Sequence, residues 1–522
     1  MRKMPIGIQT FERIITDGYA YVDKTAWVYE LAKEGLYYFL GRPRRFGKSL
    51  LLSTLRAYFE GKRELFEGLA IEKLEKEWAP YPVLHINLNV KAYKDAADLE
   101  SGLDANLRRL EKAWNLDGQA TGRPADVRFY DLIQAAQEQT GRSVVVLIDE
   151  YDRPLTQTME RGKPNDDIRN ALKGFYGVLK STDEWLRFVL LTGVTKFSKV
   201  SVFSDLNMLR DISMEEEYAG ICGITAQELE DNFKDELAAL AERNDMTYGE
   251  AVAEMKKRYD GYRFAKRGEG MFNPYSVLNA FAKKEFAYYW FETGTPTFLV
   301  EQIKKDGFDP LRFAKADSIK IPAESINDYY NSDGDPVPLL YQSGYLTITG
   351  YDRQTGEYTV AFPNEEVRYG FLNALLPVYT YRPPGERGFY VRNFLDDLRA
   401  GDVDGFMERM RSFFADIPYD LGDKTERHYQ LVFYLVFTLL GQYARAEMHS
   451  AIGRADLVVW TADTIYVFEF KLNGTVEDAL RQIDAKGYGV PYESDGRKIV
   501  KIGAEFDADA RNIGRYLVAD NG

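Results

Sequence analysis

One stretch of this 522-residue chain constrains its fold more than any other. The apolar run Tyr37-Tyr38-Phe39-Leu40 leads into Gly41-Arg42-Pro43-Arg44-Arg45-Phe46-Gly47-Lys48-Ser49, and Leu50-Leu51-Leu52-Ser53-Thr54-Leu55 then opens a helix. Strand, tight turn and helix N-terminus, in that order, aim backbone N–H groups and a helix dipole at a phosphate. Gly47 lets the backbone come close, Lys48 is placed to reach the β- and γ-phosphates, and the Ser49 hydroxyl can ligate Mg²⁺. Arg45, Phe46 and Leu50 flank these groups and complete the stretch expected to hold ATP. The spacing departs from the usual one. A glycine is expected five residues before Gly47, where Arg42 stands, and Gly41 is one residue too early. The loop is therefore one residue longer or starts differently. The competing reading is a basic turn in which Gly-Lys-Ser arises by chance.

A second feature supports the phosphate reading. Ser143–Ile148 is an apolar strand that ends in Asp149-Glu150. An acidic pair at the carboxyl end of a buried parallel strand sits where open α/β sheets bind ligands. Asp149 suits the Mg²⁺ hydration shell and Glu150 suits polarising an attacking water. A third strand, Phe188–Leu191, ends in Thr192-Gly193-Val194-Thr195-Lys196, which would set Thr192 beside the γ-phosphate.

The short apolar runs Tyr37–Leu40, Val83–Leu88, Val144–Ile148 and Phe188–Leu191 alternate with helical stretches such as Ser49–Glu60, the pattern of βαβ units and a parallel sheet covered on both faces. The next segment reads as helical, with a capping box at Thr225-Ala226-Gln227-Glu228. A hairpin is expected at Tyr345–Ala361, turning through Arg353-Gln354-Thr355-Gly356, and Pro383-Pro384-Gly385 marks a boundary. The expected class is α/β: a parallel-sheet domain carrying the phosphate loop over 1–212, a helical segment over 213–290, a mixed helical/β connecting region over 291–384 and a further α/β domain over 385–522.

Composition bounds the remaining choices. Apolar residues make up 45% and charged residues 28%, ordinary for a globular protein. A net charge of −14 argues against broad, non-specific nucleic-acid binding but leaves room for a local basic groove. One cysteine, Cys222, excludes an intramolecular disulfide framework and any Cys₄ or Cys₂His₂ zinc site. Of the three histidines, His85 lies far from His428 and His449, and the last two are expected at helix surfaces or in hydrogen bonds. Leu431–Leu440 is far shorter than the ~20 apolar residues of a membrane span. Glu12 and Asp17 fall where a signal peptide would be apolar. The expected setting is the cytoplasm, with no membrane partner.

The C-terminal part carries a second constellation. Gly453-Arg454-Ala455-Asp456 precedes the strand Leu457–Trp460, and Glu469-Phe470-Lys471 ends the next, Thr464–Phe470. Strand alternation points Glu469 and Lys471 to one face, and a hairpin brings Asp456 beside them. Two carboxylates on one spot suit Mg²⁺ or Mn²⁺, and a nearby Lys can orient a water or stabilise phosphorane charge. Gln482, on the helix that follows, lines the groove, and Glu426, on the preceding helix, offers a third carboxylate. The bland alternative is a solvated strand edge.

Together these residues resemble a bacterial AAA-ATPase-like family. The resemblance rests on Tyr21-Val22-Asp23-Lys24-Thr25, Arg42–Ser49, Leu147-Ile148-Asp149-Glu150-Tyr151-Asp152, Thr192-Gly193-Val194, Tyr259-Asp260-Gly261-Tyr262-Arg263-Phe264 and Asn273-Pro274-Tyr275-Ser276. The C-terminal part resembles the PD-(D/E)XK nuclease superfamily in Gly453–Asp456, Glu469–Lys471 and Gln482-Ile483. The resemblance implies an ATP-binding P-loop domain, a helical lid and a restriction-endonuclease-like domain. It also makes the missing early glycine a family trait. Arg263 is expected to close over the nucleotide or to pack the lid on the sheet. Arg44 and Arg45 are open to three readings: phosphate contacts, fingers for a neighbouring subunit, or a solvated loop. The aromatic cluster Phe286–Phe291 is expected to be core.

The function expected is ATP hydrolysis coupled to a metal-dependent nuclease. The alternatives are a regulatory ATPase whose C-terminal domain binds DNA, RNA or a protein without cutting, and a scaffold with structural ATP. Oligomeric state is left open.

Overall fold

The computed structural model describes residues 2–116, 122–159, 166–196, 207–291, 318–327, 335–380, 387–415, 426–440, 445–448, 456–471, 474–507, 510 and 512–520. These fall into two compact units. The first takes Met1–Gly294 with Asp317–Val367, and the second takes the described residues of Arg368–Gly522.

The first unit is built on five strands: β1 Tyr37–Gly41, β2 Val83–Asn87, β3 Val144–Asp149, β4 Leu186–Gly193 and β5 Arg210–Asp211. They form one parallel sheet in the order β2-β3-β4-β1-β5. β3 is buried at every position, as its unbroken Val-Val-Val-Leu-Ile-Asp run requires between two covered faces. On one face Val144, Val146 and Ile148 pack with Leu103, Leu132 and Phe175 of the helices Ala96–Ala113, Ala125–Thr140 and Asp166–Ser181. On the other, Phe59 of the helix Lys48–Phe59 meets Phe188 with ring centroids 5.1 Å apart.

The helices Ala226–Asn232, Lys234–Arg243, Tyr248–Tyr259 and Pro274–Lys283 share a core that includes Leu229, Phe233, Leu237, Met255 and Phe281. Their starts are set locally. Thr225 and Thr247 form capping boxes with Glu228 and Glu250, and Asn273 caps a helix that has Pro274 in its first turn. Strands β6 Ile319–Pro322, β7 Thr347–Asp352 and β8 Glu357–Ala361 form an antiparallel sheet ordered β6-β8-β7. This sheet, expected in a connecting region, clusters with the first unit. The β7–β8 hairpin turns where the Arg353–Gly356 run sits. Pro383–Gly385 lies outside the described residues.

The second unit carries β9 Arg445–Met448, β10 Leu457–Trp460, β11 Thr464–Lys471, β12 Lys498–Asp507 and β13 Asn512–Asp520 in a mixed sheet ordered β13-β12-β11-β10-β9. Only β11 and β12 run parallel. Their crossover contains the helix Val476–Ala485, which a third capping box, Thr475 with Asp478, begins. Among the described residues no helix is long and apolar enough to cross a membrane.

Candidate phosphate loop and carboxylate site

β1 ends at Gly41 and the next helix starts at Lys48. The six residues between them make the turn, with Arg45 at φ +70° and Gly47 at φ +97°. Nothing would crowd a Cβ on Gly47, so it is the left-handed backbone that favours glycine there. Lys48 is buried, and its Nζ donates to the carbonyls of Arg42 (2.8 Å) and Pro43 (3.0 Å). Burial lowers its pKa, while Glu150, Asp149 and Asp152 work the other way.

Arg42 explains the unusual spacing. Its guanidinium is buried and donates to the carbonyls of Gly41, Ser213 and Tyr218 at 2.9, 2.6 and 3.0 Å. It lies 4.2 Å from the Phe264 ring centroid. The residue standing in place of a glycine is thus a post that ties the start of the loop to the 213–218 segment.

The parallel register pairs Leu40 with Thr192 and Ile148 with Leu191, so the loop, the acidic pair and Thr192 share one edge of the sheet. Asp149 is buried and accepts the Thr192 hydroxyl at 2.8 Å. Glu150 follows at φ +53°, a left-handed conformation that costs an ordinary side chain energy, and it pairs with Arg153 at 3.0 Å. Burial pushes the Glu150 carboxyl up against the pull of Lys48 and Arg153.

Sequence reasoning gave no role to Asp152. Its carboxylate is buried and takes three donors from the β4 loop: the N–H groups of Val194 (3.0 Å) and Thr195 (2.7 Å) and the Thr195 hydroxyl (2.7 Å). The second Asp of Asp-Glu-Tyr-Asp was the available signal.

Beside the loop lies a cavity of about 100 Å³, with walls that include Val22, Lys24, Gly47, Leu50, Ile224 and Leu278. Lys24 crosses to Glu228 at 2.6 Å, a pair 204 residues apart in sequence.

The second site sits on β11. Leu457 pairs with Phe468 in the β10–β11 hairpin, so the next step sets Asp456 opposite Glu469. Asp456 accepts the Phe470 N–H at 2.9 Å. Glu469 is only 2% exposed. Its Oε1 lies 3.0 Å from Lys471 Nζ, and its Oε2 has no hydrogen-bond partner among the described residues. Lys471 also donates to Gln482 Oε1 at 2.5 Å, and Gln482 donates to the Tyr488 hydroxyl at 3.2 Å. Gln482 comes close because its helix packs tightly on β12: a Cβ on Gly503 would lie 2.7 Å from the Val476 carbonyl. β11 is the middle strand of the sheet, so the solvated-edge reading fails. A buried carboxylate oxygen without a partner, with a second carboxylate opposite and a lysine alongside, fits a divalent cation. Among the described residues no three or more His, Cys, Asp or Glu side chains group to hold a metal.

Residues 5–203 match a family described as a predicted AAA-ATPase, and residues 424–516 match the PD-(D/E)XK nuclease superfamily. Over its whole length the chain is 38% identical to an uncharacterized protein in the vnfD 5′ region of Azotobacter chroococcum mcd 1, and the match spans 99% of that protein. The chain belongs to this AAA-ATPase-like family with a C-terminal PD-(D/E)XK domain.

Within that family frame the individual expectations divide. Lys48, Asp149, Glu150 and Thr192 lie together at one sheet edge, with Ser49 and Leu50 in the first turn of the adjoining helix. Phe46 lines the cavity, yet its ring is buried against Tyr262 and Phe264. Arg45 is exposed and lies 3.8 Å from the Tyr275 ring centroid. Arg263 is exposed to solvent. Tyr262 and Phe264 alternate inward around it, and its N–H donates to the Thr347 hydroxyl at 2.6 Å. The cation buried against this aromatic segment is Arg42. Tyr289 and Trp290 are core, as expected for the aromatic cluster. In the second unit Glu469, Lys471 and Gln482 converge. The helix Glu426–Leu440 is present, but the side chains of Glu426 and His428, with Gly453–Ala455 and His449, lie outside the described residues.

Proposed function

We propose that the first unit binds and hydrolyses ATP with Mg²⁺, and that the second cleaves phosphodiester bonds in DNA or RNA with Mg²⁺ or Mn²⁺, in the cytoplasm. What supports this most is the meeting of a buried Lys48 with Asp149, Glu150 and Thr192 at the carboxyl edge of one parallel sheet. Lys48 would leave the loop carbonyls for the β- and γ-phosphates. Ser49 and Asp149 would hold the Mg²⁺, which when bound draws off charge developing on the phosphoryl oxygens. Glu150, its proton affinity raised by burial, would take the proton of the attacking water. The apolar cavity beside Gly47 and Leu50 would take the base.

In the second unit Asp456 and Glu469 would hold the cation, with Glu426 as a third carboxylate. Lys471, steadied by Gln482, would place its charge on the scissile phosphate or the attacking water.

Lys48→Ala should abolish ATP hydrolysis, and Glu150→Gln should bind ATP without turnover. Glu469→Ala should end Mn²⁺-dependent cleavage and leave hydrolysis largely intact. ATP hydrolysis at the wild-type rate by Lys48→Ala refutes the assignment of the loop. Full ATPase activity without cleavage of any DNA or RNA tested refutes the nuclease half and leaves a binding domain.

A further inference from the structure

The phosphate loop is held from behind. Trp290 Nε1 donates to the Arg44 carbonyl at 3.1 Å, and the Gly223 N–H donates to the Phe46 carbonyl at 3.2 Å. No cis peptide occurs here. In a planar trans peptide the carbonyl of one residue and the N–H of the next point in opposite directions. Fixing the Arg44 carbonyl on Trp290 therefore turns the Arg45 N–H away from the indole. Fixing the Phe46 carbonyl on Gly223 does the same for the Gly47 N–H. These are loop donors that a phosphate would use.

The Trp290 backbone is itself held in place. Glu366 is fully buried, and its Oε1 accepts the Trp290 backbone N–H at 2.7 Å. Its Oε2 accepts the buried Ser276 hydroxyl at 2.7 Å. Ser276 follows Tyr275, the residue under the Arg45 guanidinium. One buried carboxylate thus joins the two elements that touch Arg44 and Arg45. Burying a carboxylate is costly, and here it is matched by donors from two segments that are 14 residues apart or more in sequence from each other and about 80 from Glu366.

We propose that Trp290 and Glu366 are positioning residues for phosphate binding: Glu366 fixes Trp290, and the Trp290 indole holds the Arg44 carbonyl so that the Arg45 N–H stays turned toward the phosphate. This rests on the first unit being an ATP site. It gives a role to the aromatic run before residue 291 and to Asn273-Pro274-Tyr275-Ser276, which the ATPase chemistry alone leaves without one.

The experiment uses the full chain and five proteins: wild type, Lys48→Ala, Trp290→Phe, Glu366→Gln and the Trp290→Phe/Glu366→Gln double variant. Affinities for ATP and for adenosine, which has no phosphate, are measured by calorimetric titration. Trp290→Phe keeps the ring and loses the donor. It should weaken ATP about three- to tenfold, the loss of one hydrogen bond, and leave adenosine unchanged. Glu366→Gln should act in the same direction, and the double variant should fall short of the product of the two effects, because both act through one carbonyl. ATP affinity equal to wild type in Trp290→Phe, with Lys48→Ala defective, overturns the proposal. So does an equal loss of ATP and adenosine, which marks a purely structural role. ATP binding that Lys48→Ala leaves untouched overturns the ATP site itself.

Discussion

Replacing Glu469 by Met separates a carboxylate kept for a cation from one kept for the fold. The side chain is 3% exposed, with one oxygen on Lys471 and the other without a partner among the described residues. A buried acceptor left unsatisfied costs about 1–3 kcal/mol. The ion pair offsets part of this. Lys471 is 22% exposed and keeps Gln482 as an acceptor, so the pair contributes ~1 kcal/mol at most. Methionine removes both effects without adding a polar atom. Without metal, Glu469→Met should be as stable as wild type or up to ~2 kcal/mol more stable, the usual sign when a functional charge is removed. With metal the order should reverse. Mn²⁺ at about 100 times its dissociation constant should stabilise the wild type by ~2.7 kcal/mol and leave the variant unmoved. Scanning calorimetry of the full chain with and without MnCl₂ reads both quantities, and neither depends on cleavage. Loss of more than ~2 kcal/mol without metal, together with an unchanged Mn²⁺ shift, would show that Glu469 is a structural ion-pair partner.

Three further outcomes are expected. Thr192→Val removes the hydroxyl that donates to the buried Asp149 and should lower the kcat for ATP about tenfold, measured by phosphate release, at a stability cost of about 1–3 kcal/mol. Arg263→Ala should leave ATP affinity within about twofold of wild type, because its side chain is in solvent. Burial pushes the Glu75 carboxyl up, but hydrogen bonds from the Tyr58 hydroxyl, the N–H groups of Glu77 and Lys76, and Lys33 outweigh it and hold the pKa at about 2. A folded value below the ordinary 4.5 stabilises the fold above that pH, and the contribution is lost as pH falls from 4.5 towards 2. Urea unfolding across that window should show the loss in wild type and a flatter profile in Glu75→Gln.

What the sequence settled by itself was local. The apolar runs fell where β1 to β4 lie, most plainly at β3, because a strand buried on both faces has no polar alternation to blur it. The Thr225 capping box and the Asp352–Glu357 turn formed where short-range hydrogen bonds dictate. The β10–β11 hairpin put Asp456 opposite Glu469 because a register follows from a period of two. The destination of single side chains did not follow in this way. Arg42 looked like a fault in a glycine pattern and proved to be a buried post, because two of its three acceptors lie more than 170 residues away. Asp152 had no visible role until β4 brought Val194 and Thr195 to it. Arg263, expected to close over the nucleotide or to pack the lid on the sheet, has an exposed side chain between two inward-facing aromatic neighbours. Trp290 meets Arg44 across 246 residues, and no local period encodes that meeting. Backbone geometry repeats every few residues and can be read along the chain. Whether a given charge or N–H is buried, and against what, is decided only when distant segments close around it.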